Sequence, residues 1–188
     1  MQEVVCVTGH RSDKLGGYSV DAQKLLFQVA VKVLSVEMPE MVYTGMALGW
    51  DQAIARACVK LDIPFVAAVP FKGQELRWNK HAQEIYHMLL KRAKLIQYVS
   101  PGGYEPRKMH IRNEWMVDRS EKVLAIWNGS EGGTHNCVKY AYLKQVPVRN
   151  YFSEWLAEFR HSPIYKPTGE VPQINRERVM QMALEFAQ

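Results

Sequence analysis

Six apolar runs of strand length, each set off from the next by a helix-length stretch, restrict what this chain can fold into more than any other feature. EVVCVT (3–8), EMVYT (40–44), PFVAAVP (64–70), KLIQYVS (94–100), EKVLAIWN (121–128) and VPVRNY (146–151) read as strands. Their near-continuous apolar character is that of strands covered on both faces. Between them, residues 20–36, 51–61, 74–93, 109–120 and 132–145 read as helices, the first with apolar residues at clear helical spacing. This alternation predicts an α/β fold: a Rossmann-like, doubly wound sheet, mostly parallel, of about six strands with helices on both faces. The expected division is a main domain over 1–151 and a C-terminal extension over 152–188. In that extension SPIYKPTGEVPQ is proline-rich and irregular. NRERVMQMALEFA reads as a terminal helix with Asn175 as N-cap and Val179, Met182 and Phe186 at core-like spacing.

Composition narrows the class. A chain of 188 residues, 47% hydrophobic and 23% charged, has enough apolar material for one core without staples. Its three cysteines, Cys6, Cys58 and Cys137, are odd in number and widely spaced. That argues against a disulfide framework and a structural zinc site, and for a reducing compartment. With no basic-then-apolar leader and no bilayer-length apolar run, the expectation is a cytoplasmic protein without a membrane partner. His81 and His87 fall on different faces of one helix, so no metal or other cofactor is expected.

The charge is uneven. Between Lys72 and Arg112 lie nine Lys/Arg and three acids, a local excess of +6, whereas the whole chain carries +5. The rest is therefore near neutral, at −1. Such a segment suits an anionic partner, from a nucleotide to a polynucleotide, or is simply a solvated helix surface.

Ligands of doubly wound sheets collect beyond the carboxyl ends of the strands, and four informative stretches fall there. The first is Thr8-Gly9-His10-Arg11: Gly9 permits close backbone approach, and His10 and Arg11 offer donors to phosphate or carboxylate. In the second, TGMALGWDQAIA (44–55), Gly45 and Gly49 frame a loop that opens a helix at Asp51. The free amides of that helix start suit a phosphate, while Asp51 either complements the helix dipole or accepts from a ligand or Arg11. The third, RNEWMVDRSEKVLAIW (112–127), carries Arg112, the better candidate for anion contact, with Asn113, Glu114 and Asp118. Asp118 alternatively braces local backbone. The fourth, GSEGGTHNCVKYA (129–141), starts a helix with Gly132, Gly133 and Thr134, an anion nest of amides plus a hydroxyl. It matches neither the GxxxxGK[ST] loop nor GxGxxG. Cys137 shares a helix face with Val138 and Ala141 and reads as a packed residue rather than a nucleophile. Trp50, Trp78 and Trp115 flank the loops; one of them could stack on a base, although core packing is the commoner fate.

Taken in order, TGHR, GMALGWDQAIA and RNEWMVDRSEKVLAIWNGSEGGT resemble the SLOG superfamily of Rossmann-like nucleotide-binding proteins, nearest to its YpsA-like branch with relatives among phage proteins. The resemblance covers about residues 3–150. It implies a pocket lined by Gly45, Gly49, Asp51, Gly132, Gly133 and Thr134, rimmed by Thr8, Gly9, His10 and Arg11. Arg112 and Asn113 match the family's arginine-asparagine pair in type and order. The superfamily includes Lonely Guy phosphoribohydrolases, DprA-type DNA-binding proteins and sensors of ADP-ribose-type signals, and homo-oligomers are expected from it. Lonely Guy enzymes resemble PGGxGTxxE at the last loop, and aligning Gly133-Thr134 on that GT puts Cys137 where their glutamate stands. A thiol cannot do a carboxylate's work there. Three readings follow. The first is a binder of a nucleotide or nucleotide-derived signal such as ADP-ribose or a cyclic relative. The second is an N-glycosidic hydrolase drawing its acid from Asp51, Asp118 or Glu114. The third is a DprA-like binder of single-stranded DNA.

Overall fold

A computed structural model describes residues 3–165 and 173–185. Its centre is one parallel sheet of β1 (Val4–Gly9), β2 (Met41–Thr44), β3 (Phe65–Val69), β4 (Leu95–Tyr98), β5 (Lys122–Ile126) and β6 (Val148–Asn150), ordered β4-β3-β2-β1-β5-β6. The α-helices among the described residues are α1 (Val20–Glu37), α2 (Trp50–Leu61), α3 (Lys80–Leu90), α4 (Pro106–Val117), α5 (Gly133–Leu143), α6 (Phe152–Arg160) and α7 (Arg176–Glu185), with one 3-10 turn over Ser12–Lys14 after β1. All five strand pairings are parallel, so the expected mostly parallel Rossmann-like sheet is parallel throughout.

Strand order decides where a ligand can sit. From β1 the chain steps outward through β2, β3 and β4, and α4 then returns it to β5 on the other side of β1. The register pairs Val7 with Leu124 and Gly9 with Ile126, so β1 and β5 end level with each other. Their following loops part in opposite directions, and a crevice opens between them.

Both faces of the central strands are covered, which is why these are apolar on both sides, whereas the edge strand β4 leaves Leu95, Ile96 and Tyr98 exposed. Val5 and Val7 point into a core shared with α1, α2, α3 and α6, built around Leu26, Ile54, Tyr86 and Trp155. Cys6, one residue out of phase, packs on the opposite face with Met116 and Val117 of α4 and Cys137 and Ala141 of α5. A smaller cluster of Ala125, Trp127, Val138 and Met182 seats α7, with Val179 packed against it. Asn175 caps α7, accepting from the Arg178 N–H at 3.0 Å. Phe186 lies outside the described residues.

The elements depart from the sequence expectation in three places. Residues 74–79 are not helical. Trp78 N–H closes a turn onto Glu75 O, Gly73 has φ +89°, and α3 starts only after Asn79, whose side chain accepts from Ala82 N–H at 2.9 Å. The α4 helix begins at Pro106 rather than 109, with proline in the first turn, where its missing N–H costs no hydrogen bond. The third difference is α6, which the sequence reading did not contain. Phe152, Trp155, Leu156 and Phe159 recur at helical spacing on its buried face, and it packs beside α1.

Candidate functional site

The crevice beyond β1 and β5 is a cavity of about 740 Å³, walled by the loops after β1, β2, β3, β4 and β5 and by the starts of α4 and α5. Thr8 and His10 are nearly buried at its inner edge. His10 Nε2 lies 2.7 Å from Asn128 Oδ1, which also accepts from Ser130 N–H, and Lys14 Nζ donates to Ser130 Oγ at 2.9 Å. The loop after β1 is thereby tied to the loop after β5. Burial pushes His10 down to about 4, so its imidazole is neutral near pH 7.

Behind the wall stands a buried ion pair. Arg112 Nη1 lies 3.6 Å from Asp51 Oδ2, with both side chains less than a tenth exposed. Asp51 Oδ2 also accepts from Ala47 N–H at 3.3 Å, and burial raises its pKa to about 6 against the opposing pull of Arg112. The guanidinium reaches across Gly45: a Cβ there would fall 1.3 Å from Nη1. Gly49, at φ +99°, lets α2 start against the backbone of His10 and Arg11. Arg112 Nε and Nη1 are buried without a hydrogen-bond partner among the described residues. A guanidinium desolvated in this way has donors to spare for an anion.

The start of α5 supplies the other donors. Gly132 is its N-cap, at φ +135° and with no side chain over the first amides. A Cβ on Gly132 or Gly133 would meet nothing within 4 Å, so the loop faces open space. Asn113 Nδ2 donates to Gly133 O at 3.2 Å and holds the helix start against α4. Exposed first-turn amides at the positive end of a helix are a natural anion seat. Cys137 lies below this loop with no exposure, beside Thr8, and burial pushes its thiol up to about 12. It is a packed residue and not a thiolate.

Of the residues singled out from sequence, Thr8, Gly9, His10, Arg11, Arg112, Asn113, Gly132, Gly133 and Thr134 come together on the cavity wall. Gly45, Gly49 and Asp51 stand one layer behind it, where Ala47 and Leu48 form the surface. Glu114 is exposed on α4 away from the cavity. Asp118 braces local structure instead, accepting from Tyr140 Oη at 3.0 Å and pairing with Lys144. Among the described residues no group of three or more His, Cys, Asp or Glu is placed to hold a metal ion, and no helix is long and apolar enough to cross a membrane.

The family model of YpsA, described as the YspA SLOG family, matches residues 5–160, from the second residue of β1 to the last residue of α6. The chain belongs to the YpsA family. A YpsA-family assignment reaching residue 160 takes in α6, in accord with its place in the core. Among curated proteins the chain is similar to an SPbeta prophage-derived protein, YoqJ, of Bacillus subtilis, at 35% identity over 62% of this chain and 77% of the relative. Among solved structures it is similar to DNA processing protein A (DprA) of Streptococcus pneumoniae, with a TM-score of 0.59 and 16% identity over 79% of this chain and 50% of DprA. It is also similar to a molybdenum cofactor binding protein of Rippkaea orientalis, with a TM-score of 0.52 and 15% identity over 100% of this chain and 99% of the relative. The chain thus spans half of DprA, and identities this low speak to the fold alone.

This YpsA-family cavity also has walls that the sequence reading missed. Asp13, Lys14, Gln74, Arg77, Tyr104, His110 and Glu131 line it, beside Asn136, a polar group expected near the start of α5, and Trp78 from among the flanking tryptophans. Trp50 is core, its indole N–H donating to Leu124 O, and Trp115 packs on Tyr43. The signal for the missed wall was Gly73, a turn residue just before the helix expected over 74–93, and Asn79, a cap inside it.

Proposed function

We propose that this chain binds a nucleotide or nucleotide-derived signalling molecule, ADP-ribose-like or a cyclic relative, in the cavity at the carboxyl ends of its strands. The observation that carries this reading is Arg112: a buried guanidinium among the cavity's lining residues, paired with Asp51 but with no hydrogen bond from Nε or Nη1 to any described residue, in the same cavity that the uncapped start of α5 at Gly132 and Gly133 lines. An anion between them completes both donor sets. The wall carries four cations (Arg11, Lys14, Arg77, Arg112) against two carboxylates (Asp13, Glu131), a balance that favours phosphate. Membership of the YpsA family supports a nucleotide-related binding role.

Binding is favoured over N-glycosidic cleavage because none of Asp51, Asp118 and Glu114 lines the cavity and Cys137, at the position of the Lonely Guy glutamate, is a buried thiol. Asp13 and Glu131 do line it, so chromatography of the recovered ligand decides cleavage by them. Single-stranded DNA ranks third. The basic residues exposed outside the cavity (Lys72, Lys80, Lys91, Arg92, Lys94, Arg107) are what a polyanion would contact, but aromatic side chains are not interleaved with that run in a stacking pattern.

Isothermal titration with nucleoside mono- and diphosphates, ADP-ribose and cyclic dinucleotides, followed by chromatography of the recovered ligand, tests the reading. The expected result is saturable binding with the ligand recovered intact, weakened at least tenfold in Arg112→Met. Release of free base would move the assignment to the hydrolase. Oligonucleotide binding with a steep salt dependence and no nucleotide binding would move it to DNA.

A further inference from the structure

We propose that the cavity wall opposite the anion seat, formed by Arg77, Trp78 and Tyr104, holds the aromatic base of the ligand, so that the site takes a base-bearing 5′-nucleotide rather than a bare sugar phosphate. This rests on the nucleotide reading above and assigns its other end. Tyr104 is 54% exposed, high for a large aromatic side chain, and lines the cavity. Its ring is held on two sides: Phe71, itself buried, meets it edge-on at 5.9 Å, and the Arg77 guanidinium lies over it at 5.1 Å from the centroid. Trp78 is fixed in the same way by the buried Tyr86, at 5.4 Å and 86°. Gln74, between the two walls, donates to both Tyr86 Oη and Gly45 O and so braces this side against the Arg112 side.

Rings held rigid by neighbours yet left open toward a cavity lose little entropy when a flat ligand stacks on them. The guanidinium adds a cationic plane that suits any base. The two ends are carried by one stretch of chain: the α4 helix begins at Pro106, next to the Tyr104 wall, and reaches Arg112 six residues later.

The test compares AMP and UMP with ribose 5-phosphate as titrants, on the full chain and on Tyr104→Ala, Tyr104→Phe and Trp78→Phe. Tyr104→Ala is expected to weaken AMP and UMP about tenfold and leave ribose 5-phosphate unchanged, and Tyr104→Phe to keep all three. AMP, but not ribose 5-phosphate, should quench tryptophan emission, and Trp78→Phe should remove most of that quenching. A wall serving only to support the loops would instead show AMP affinity and quenching unaltered in both ring variants. Ribose 5-phosphate bound as tightly as AMP by the unaltered chain would equally overturn the assignment of the base. If the unaltered chain binds no nucleotide and no sugar phosphate, the nucleotide reading itself fails, and this inference with it.

Discussion

Gly45 matters because of what lies over it. The Arg112 guanidinium occupies the space a side chain would take, with Nη1 1.3 Å from where a Cβ would stand. Gly45→Ala should therefore expel Arg112 from its berth and leave Asp51 buried without its cation, a loss of roughly 3–5 kcal/mol by analogy with broken buried pairs. Urea denaturation measures the stability, and nucleotide titration should show binding lost in step. His10 contributes a pH dependence. Its native pKa of about 4 lies below the ordinary value, so as the pH falls through about 6.5 the unfolded chain takes up the proton first. Stability from this group is therefore full above pH 6.5, declines between about 6.5 and 4, and is gone below. Asp51, raised to about 6, acts in the opposite sense, losing stability as the pH rises from about 4 to 6. The two partly cancel, so the informative quantity is a difference. His10→Gln minus the unaltered chain, from denaturation at pH 4.5, 5.5 and 6.5, should show the variant's relative stability improving steadily toward low pH. A flat difference would mean that His10 is not the desolvated group the geometry makes it.

Helices divide here between holding and binding. The first turn of α5 is open at Gly133, where an added Cβ meets nothing within 4 Å and the backbone is helical. Gly133→Asp should place a permanent carboxylate in the anion seat. Folding stability should stay within about 1 kcal/mol of the parent, since an acid suits a helix N-terminus, whereas phosphate-bearing ligands should lose all measurable affinity in titration. Loss of fold rather than of binding would show that the loop is structural first. The α6 helix is the opposite case, lining no part of the cavity and built into the core, with Phe152 meeting the cavity-wall residue His10 edge-on at 6.3 Å. Trp155 is fully buried and stacks on Phe159 at 5.0 Å. Trp155→Ala should cost about 3–5 kcal/mol in chemical denaturation, with nucleotide affinity unchanged in whatever fraction stays folded.

For the molecule as a whole, strands and layers were legible in the chain because a covered parallel sheet needs apolar residues on both strand faces, and runs such as Phe65–Val69 carry nothing else. The anion half of the cavity was legible for a related reason: Gly132-Gly133 and Arg112 carry their chemistry in their residue types. The other half was not. Tyr104 and Trp78 look like any aromatic residues until the turn at Gly73 and the loop before Pro106 bring them to one wall. Asp51 deceived in the opposite way, a carboxylate at a helix start that the close approach of Arg112 turns into a buried pair rather than a contact surface. Helix α6 went unread because its aromatic spacing follows the last strand directly, with no intervening turn signal. The three cysteines, all buried, also make the protein its own gauge of opening. Burial pushes Cys58 and Cys137 up to about 12 and Cys6 well above its usual value, so none offers a thiolate to an alkylating reagent while the fold is closed. Cys58 lies on the α1–α2 side of the sheet, Cys6 and Cys137 on the α4–α5 side. Mass-resolved iodoacetamide labelling over time should therefore clock the two layers separately. Added nucleotide should slow labelling of the α4–α5 pair by at least the factor by which it stabilises that layer, with no probe attached and no residue changed.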